Sequence, residues 1–213
     1  MDCYSSIAMA PEYWPQACQA LSACDPVMRQ LITQFPGATL ESRGWAFTTL
    51  ARSIVGQQIS VKAAESVWQR VIATIPDLTP QAIIAAEHEL LRSCGLSARK
   101  AIYLQDLLRH FTEGNLRETV WESMHDEAVI KQLIQIKGIG RWTAEMFLIF
   151  HLQRPDVLPL DDIGLQRAIS QHYLDQQATD KNTIIELAKP WQPWRSVATW
   201  YLWRSLDPLP VAY

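Results

Sequence analysis

Apolar residues recur along this chain at spacings of three and four, as at Val129, Leu133, Ile134 and Ile136 and again from Trp142 through Phe147, Leu148 and Phe150. No stretch of strand length alternates apolar and polar positions. The pattern predicts an all-α protein. Helix-breaking residues fall at Phe35-Pro36-Gly37, Ile75-Pro76-Asp77, Cys94-Gly95, Glu113-Gly114-Asn115, Lys137-Gly138-Ile139-Gly140, Arg154-Pro155-Asp156 and Lys189-Pro190. They divide the chain into roughly ten short helices. No internal repeat or low-complexity segment interrupts them.

At 213 residues and 48% hydrophobic content, the chain has enough apolar side chain for one well-packed domain or two small lobes, and it is expected to fold and act as a monomer. The longest apolar runs, such as Met146-Phe147-Leu148-Ile149-Phe150, fall far short of the roughly 20 residues needed to cross a bilayer. The N-terminus has Asp2 and no basic cluster ahead of an apolar run, so it does not read as a targeting signal. A cytosolic or nucleoid location is expected, nuclear if the source is eukaryotic. Cys3, Cys18, Cys24 and Cys94 form no Cys-x-x-Cys pair and meet no clustered histidines. Neither zinc, an iron–sulfur cluster nor any other cofactor is expected.

Two segments carry candidate chemistry. In Lys137-Gly138-Ile139-Gly140-Arg141-Trp142-Thr143-Ala144, two glycines sit in a turn of about five residues between two predicted helices. Glycine there permits positive φ and close approach, so that turn amides and the next helix's N-terminus could donate to a phosphate. The same glycines would equally cap and turn an ordinary helical hairpin. Further on, Asp161-Asp162 precede a helix predicted to begin near Ile163. One of them could simply be its N-cap. Either could also supply a fixed anion for a reaction that builds positive charge.

The stretch Leu133-Ile134-Gln135-Ile136-Lys137-Gly138-Ile139-Gly140-Arg141-Trp142-Thr143-Ala144, followed by Asp162, closely resembles the helix-hairpin-helix (HhH-GPD) DNA glycosylase superfamily, and within it the 3-methyladenine DNA glycosylase II branch. Three other segments agree: Ile54-Val55-Gly56-Gln57-Gln58-Ile59-Ser60, Gly95-Leu96-Ser97-Ala98-Arg99-Lys100 and Trp191-Gln192-Pro193-Trp194-Arg195-Ser196. The likeness covers nearly the whole chain. It implies a two-lobed helical fold, with one lobe at about 37–154 carrying the hairpin at 127–152, and the other at about 1–36 plus 155–213. The family places a cleft between such lobes. Too few residues precede Ile54 for the β-rich N-terminal domain of the best-known bacterial member, so a minimal, all-helical form is expected.

The resemblance also assigns roles. Asp162 matches the catalytic carboxylate, which leaves Asp161 as a structural partner. Where strand-cutting relatives carry a lysine nucleophile, this chain has Trp142, and an indole forms no Schiff base, so a monofunctional, water-using enzyme is implied. Trp142 and Trp203 match pocket positions suited to a cationic, alkylated purine. Met146 and Ile163 stand where the bacterial enzyme has tyrosines. The remaining tryptophans Trp14, Trp68, Trp121 and Trp191 read as core. Gln57, Gln58, Ile59 and Ser60 match the loop that enters the minor groove, with Gln58, alone or with Ile59, in place of a leucine wedge.

The net charge of −3 argues against affinity drawn from the overall field, so any DNA surface is local. Its candidate donors are Lys62, Arg92, Arg99, Lys100, Lys137 and Arg141, with the amides around Gly138 and Gly140. The implied partner is damaged double-stranded DNA, from which N-alkylated purines such as 3-methyladenine and 7-methylguanine would be flipped out and released in base excision repair. A non-catalytic DNA-structure binder that keeps the hairpin is the alternative. Retention of Asp162 argues against it.

Overall fold

Prolines and capping side chains set where the helices begin. In the computed structural model, which describes residues 10–40, 45–75, 88–114, 116 and 118–206, every regular element is helical. Asp25 separates α1 (Trp14–Cys24) from α2 (Pro26–Gln34): its Oδ1 accepts from the amides of Val27 and Met28 at 2.8 and 3.0 Å, with Pro26 in the first helical turn. After α3 (Ala46–Gly56), Ser60 caps α4 (Val61–Thr74), and after α5 (His88–Ser93), Ser97 caps α6 (Ala98–Thr112). The short α7 (Glu118–Trp121) leads to α8 (Asp126–Leu133) and α9 (Arg141–Phe150). Asp162 caps α10 (Ile163–Tyr173), Asp180 caps α11 (Lys181–Leu187), and a 3-10 turn at Lys189–Trp191 precedes α12 (Arg195–Leu206). The twelve α-helices among the described residues exceed the expected ten. Four boundaries lie outside the expected breaks: those at Asp25-Pro26 and at Asp180, each made by an aspartate cap, the loop at 57–60, closed by the Ser60 cap of α4, and the link after Trp121. The expected break at Pro76-Asp77 falls outside the described residues, as do Asp2 and Cys3.

The chain divides into two compact units, one formed by the described residues of Met1–Arg43 and Leu148–Ala212, the other by those of Gly44–Phe147. In the first, α12 packs against α1, α2 and α10. It has to be apolar on several sides, and Val197, Ala198, Tyr201 and Leu202 are all buried. Its start is pinned by a two-point ion pair from Arg195 to Asp156 at 2.7 and 2.9 Å, and by the Ser196 hydroxyl, which accepts from the Val157 amide at 2.9 Å. Trp14, Leu21, Met28, Leu165, Ile169 and Trp191 complete the core. The buried Asp25 carboxylate ties it together, because its Oδ2 accepts from the Tyr173 hydroxyl (2.9 Å) and the Trp191 indole (2.8 Å). A buried carboxylate stripped of such partners costs several kcal/mol.

In the second unit, α3 packs on α4 and α6. A run of edge-on rings, Phe47 to Phe111 to Trp121 to Phe147 at 5.4, 6.4 and 5.2 Å, fills its interior. Trp68 and Trp121 are buried, and the Trp121 indole donates to Gln132 Oε1 at 2.8 Å. Val129, Leu133 and Ile136 are buried as their spacing predicts. Ile134 departs from the expected face. It follows the last residue of α8, where the chain leaves helical phase, and it is exposed.

Candidate active site

Asp162 occupies the N-cap of α10 in extended conformation, and its Oδ1 accepts from the Leu165 amide at 2.6 Å. A carboxylate there faces the positive end of the helix dipole. The same Oδ1 accepts a second bond, from the Trp203 indole N–H of α12, at 2.7 Å. Trp203 in turn stacks on Phe150 at 5.7 Å with 12° between the planes. Asp162 is thereby buried and held at one oxygen by donors from two helices. This corrects the division of labour expected of the aspartate pair. The cap is Asp162, while Asp161 is exposed and forms an ion pair with Lys181. The capping and chemical readings fall on one residue and are compatible, because a cap fixes a carboxylate without neutralising it.

Ile163, the first residue of α10, is 79% exposed. Full burial of such a side chain would return about 2 kcal/mol, most of which this isoleucine forgoes. It stands beside Asp162 as an apolar surface open to contact. Two residues of this group are absent from the sequence-based candidates. Gly164 is one: a Cβ there would lie 3.1 Å from Asp162 Oδ1 and 3.1 and 3.2 Å from Trp203 Cδ1 and Nε1. The other is Phe150. A glycine inside a helix's first turn was the available signal for the first. Nothing local marks the second.

The hairpin belongs to the second unit. Residues 134–140 join α8 to α9, a longer connection than the spacing suggested. Its two glycines differ. Gly138 has φ +84° and lies so close to Tyr103 that a Cβ would come within 2.1 Å of the ring, whereas Gly140 has no positive φ and a Cβ there would meet nothing within 4 Å. The expectation of left-handed freedom at both positions therefore holds for Gly138 alone. What glycine provides at Gly140 is open backbone at the head of α9. The turn is anchored from beneath by Asp106, a buried carboxylate on α6 whose Oδ2 accepts from the Lys137 amide at 2.8 Å. The Lys137 side chain is exposed.

Arg141 departs from its expected part as a free phosphate donor. Its guanidinium donates to Glu127 through Nη1 at 3.1 Å and through a closer Nη2 contact, and to Glu145 through Nε at 3.0 Å. The hydrogen bond from Arg141 holds the Glu127 carboxyl below its usual range. A phosphate reaching Arg141 would have to displace Glu127.

The loop after α3 presents Gln58, Ile59 and Ser60 outward. Gln58 takes φ +59°, an uncommon conformation for a residue with a side chain. Gln57 turns inward, and its Nε2 donates to the Gly138 carbonyl at 2.8 Å. This joins the loop to the hairpin. Lys100 Nζ donates to the Val55 carbonyl at 2.7 Å, and burial lowers its pKa below the ordinary lysine value. Lys100 thus closes the C-terminal end of α3 and supports the loop from behind, in place of the outward charge expected. Arg92 pairs with Glu89, while Lys62 and Arg99 are exposed. On α9, Met146 is buried and Trp142, one turn earlier, is partly exposed.

Comparison with known proteins accords with this arrangement. YfjP of Bacillus subtilis is 34% identical over 169 residues, 76% of this chain and 59% of the relative, so the chain spans about three-fifths of that protein's length. Among solved structures, a DNA-3-methyladenine glycosidase from Bacillus halodurans superposes with a TM-score of 0.82 at 35% identity, over 90% of this chain and 89% of that one. A 3-methyladenine DNA glycosylase from Schizosaccharomyces pombe, in complex with abasic DNA, superposes with a TM-score of 0.76 at 28% identity, over 93% and 99%. The model of the HhH-GPD superfamily of base excision DNA repair proteins matches residues 51–193. That match runs from α3 through the hairpin and Asp162 to just before α12, and the chain belongs to this superfamily.

Proposed function

We propose that this chain is a monofunctional DNA glycosylase that hydrolyses the N-glycosidic bond of N-alkylated purines in duplex DNA. The observation that carries the reading is the buried Asp162 carboxylate, fixed at one oxygen by the α10 amide and the Trp203 indole. As the bond to the base breaks, positive charge builds on the sugar. A carboxylate already desolvated and oriented stabilises that charge without reorganising. The same group can orient the attacking water. The base then leaves as a free purine and the strand retains an abasic site.

The lesion class is supported by the relatives' names and by chemistry. Alkylation at N3 or N7 makes the purine cationic and its glycosidic bond labile, so a site that supplies one anion and aromatic faces favours such bases over neutral ones. Ile163 and Trp203 stand beside Asp162 and are proposed to contact the base. The hairpin is proposed to hold a phosphate through the backbone at Gly140 and the first amides of α9, contacts that carry no sequence information. Gln58 and Ile59 are proposed to fill the duplex when the base is out. Trp142 offers no amine, so strand cleavage through a Schiff base at that position is ruled out chemically.

The test is to incubate the protein with methylated duplex DNA and identify the released bases by mass spectrometry. Free 3-methyladenine and 7-methylguanine are expected. A protein that binds the duplex and releases no base would instead be a DNA-structure binder.

A further inference from the structure

The position of the Asp162 carboxylate depends on more than its cap. The Leu165 amide is the donor any N-cap carboxylate finds, but the Trp203 indole comes from another helix and must approach the first turn of α10 closely to reach Oδ1 at 2.7 Å. Gly164 is what leaves the room. A Cβ at that position would stand 3.1–3.2 Å from Oδ1 of Asp162 and from Cδ1 and Nε1 of Trp203, tighter than ordinary contact with the atoms of the bonded pair. Its φ is not positive, so the backbone does not demand glycine there. Glycine within a helix costs about 1 kcal/mol relative to alanine. This position bears that cost without a conformational reason, and the close approach of Trp203 supplies one. Phe150 backs the indole in a near-parallel stack and limits its retreat.

We infer that Gly164 and Trp203 are positioning residues for the reaction: Gly164 admits the Trp203 indole, and its N–H sets the plane of the Asp162 carboxylate. The inference rests on Asp162 being the reacting carboxylate. On this account Trp203 acts through Asp162 in addition to any contact with the base. Displacement of a reacting group by a fraction of an ångström to an ångström costs roughly 10- to 100-fold in rate. The loss should appear in the chemical step and leave DNA affinity almost unchanged.

The experiment measures single-turnover release of base from a duplex holding one 7-methylguanine, with affinity measured on a duplex holding a tetrahydrofuran abasic-site analogue. The variants are Gly164→Ala, Trp203→Phe, which keeps a ring against Phe150 and lacks the N–H, and the double substitution. Each single variant is expected to lower the maximal rate about 10-fold or more, with affinity within about twofold. The double variant should be no slower than the slower single one, because both act through one bond. A wild-type rate in either folded variant, or losses that multiply, would overturn the proposal. If Gly164→Ala melts at the assay temperature, Trp203→Phe decides alone by the same criterion. Asp162→Asn separates the two levels. A wild-type rate in that variant removes the underlying reading and the inference with it, whereas a slow Asp162→Asn beside a fast Gly164→Ala overturns the positioning role only.

Discussion

The side-chain amide of Gln57 donates to the carbonyl of Gly138 at 2.8 Å, so the loop after α3 and the hairpin between α8 and α9 form one connected surface in the second unit. Each end of that bond neighbours an exposed element proposed to touch DNA: Gln58 and Ile59 on one side, Gly140 on the other. Gln57→Ala removes the tie. It should cost about 1 kcal/mol of stability and weaken binding to intact and abasic duplexes alike, as read by fluorescence anisotropy. Unchanged affinity would show that loop and hairpin work independently.

The two hairpin glycines should fail in different ways. Gly138→Ala places a Cβ into the Tyr103 ring at a left-handed position and should destabilise the fold by about 2–4 kcal/mol, visible in the melting temperature. Gly140→Ala meets nothing in the protein and should fold normally. Its defect should be in binding, equal for damaged and undamaged duplexes, because the added methyl group obstructs a backbone contact that carries no base information.

Glu127 is placed to compete with a phosphate for Arg141. Glu127→Gln removes the carboxylate that holds two guanidinium nitrogens and should free the cation for a phosphate. Binding should tighten at low salt, and the slope of log affinity against log salt should steepen by about one. An unchanged slope would mean that Arg141 stays bound to Glu145 and takes no phosphate.

The product strand should remain whole until alkali or a separate nuclease acts, since Trp142 supplies no nucleophilic amine. Treatment of the reaction with sodium borohydride should trap no covalent protein–DNA adduct. A trapped adduct would identify another amine of the chain as a nucleophile.

Much of this organisation was legible in the order of residues. Helical periodicity gave the all-α class, and the Gly-x-Gly turn and the aspartate cap of α10 were readable locally, because turns and caps are written in neighbouring residues. Other features were hidden by distance along the chain. Nothing near Lys137 announces that Asp106 receives its amide, although an acid among Leu104, Leu107 and Leu108 on α6 was a signal that a buried partner was needed. Nothing near Asp162 announces Trp203 or Phe150. Lys100 looked like a free cation, since its partner Val55 lies in another element, and of Arg141's two partners only Glu145, four residues on in the same helix, was marked by local spacing, while Glu127 lies on α8. The difference between Gly138 and Gly140 came from Tyr103, a residue that no local pattern connects to the turn.

The central claim is that Asp162 performs the chemistry, and a paired measurement tests it most directly. Single-turnover base release should be compared among the wild type, Asp162→Asn and Asp161→Asn on one 7-methylguanine duplex, with affinity for an abasic duplex measured in parallel. Asp162→Asn should release base roughly 10²-fold more slowly or worse, with affinity and folding largely retained. Asp161→Asn, which loses only an exposed ion pair with Lys181, should remain near the wild-type rate. Near wild-type turnover by Asp162→Asn, or an equal loss in Asp161→Asn, would contradict the account.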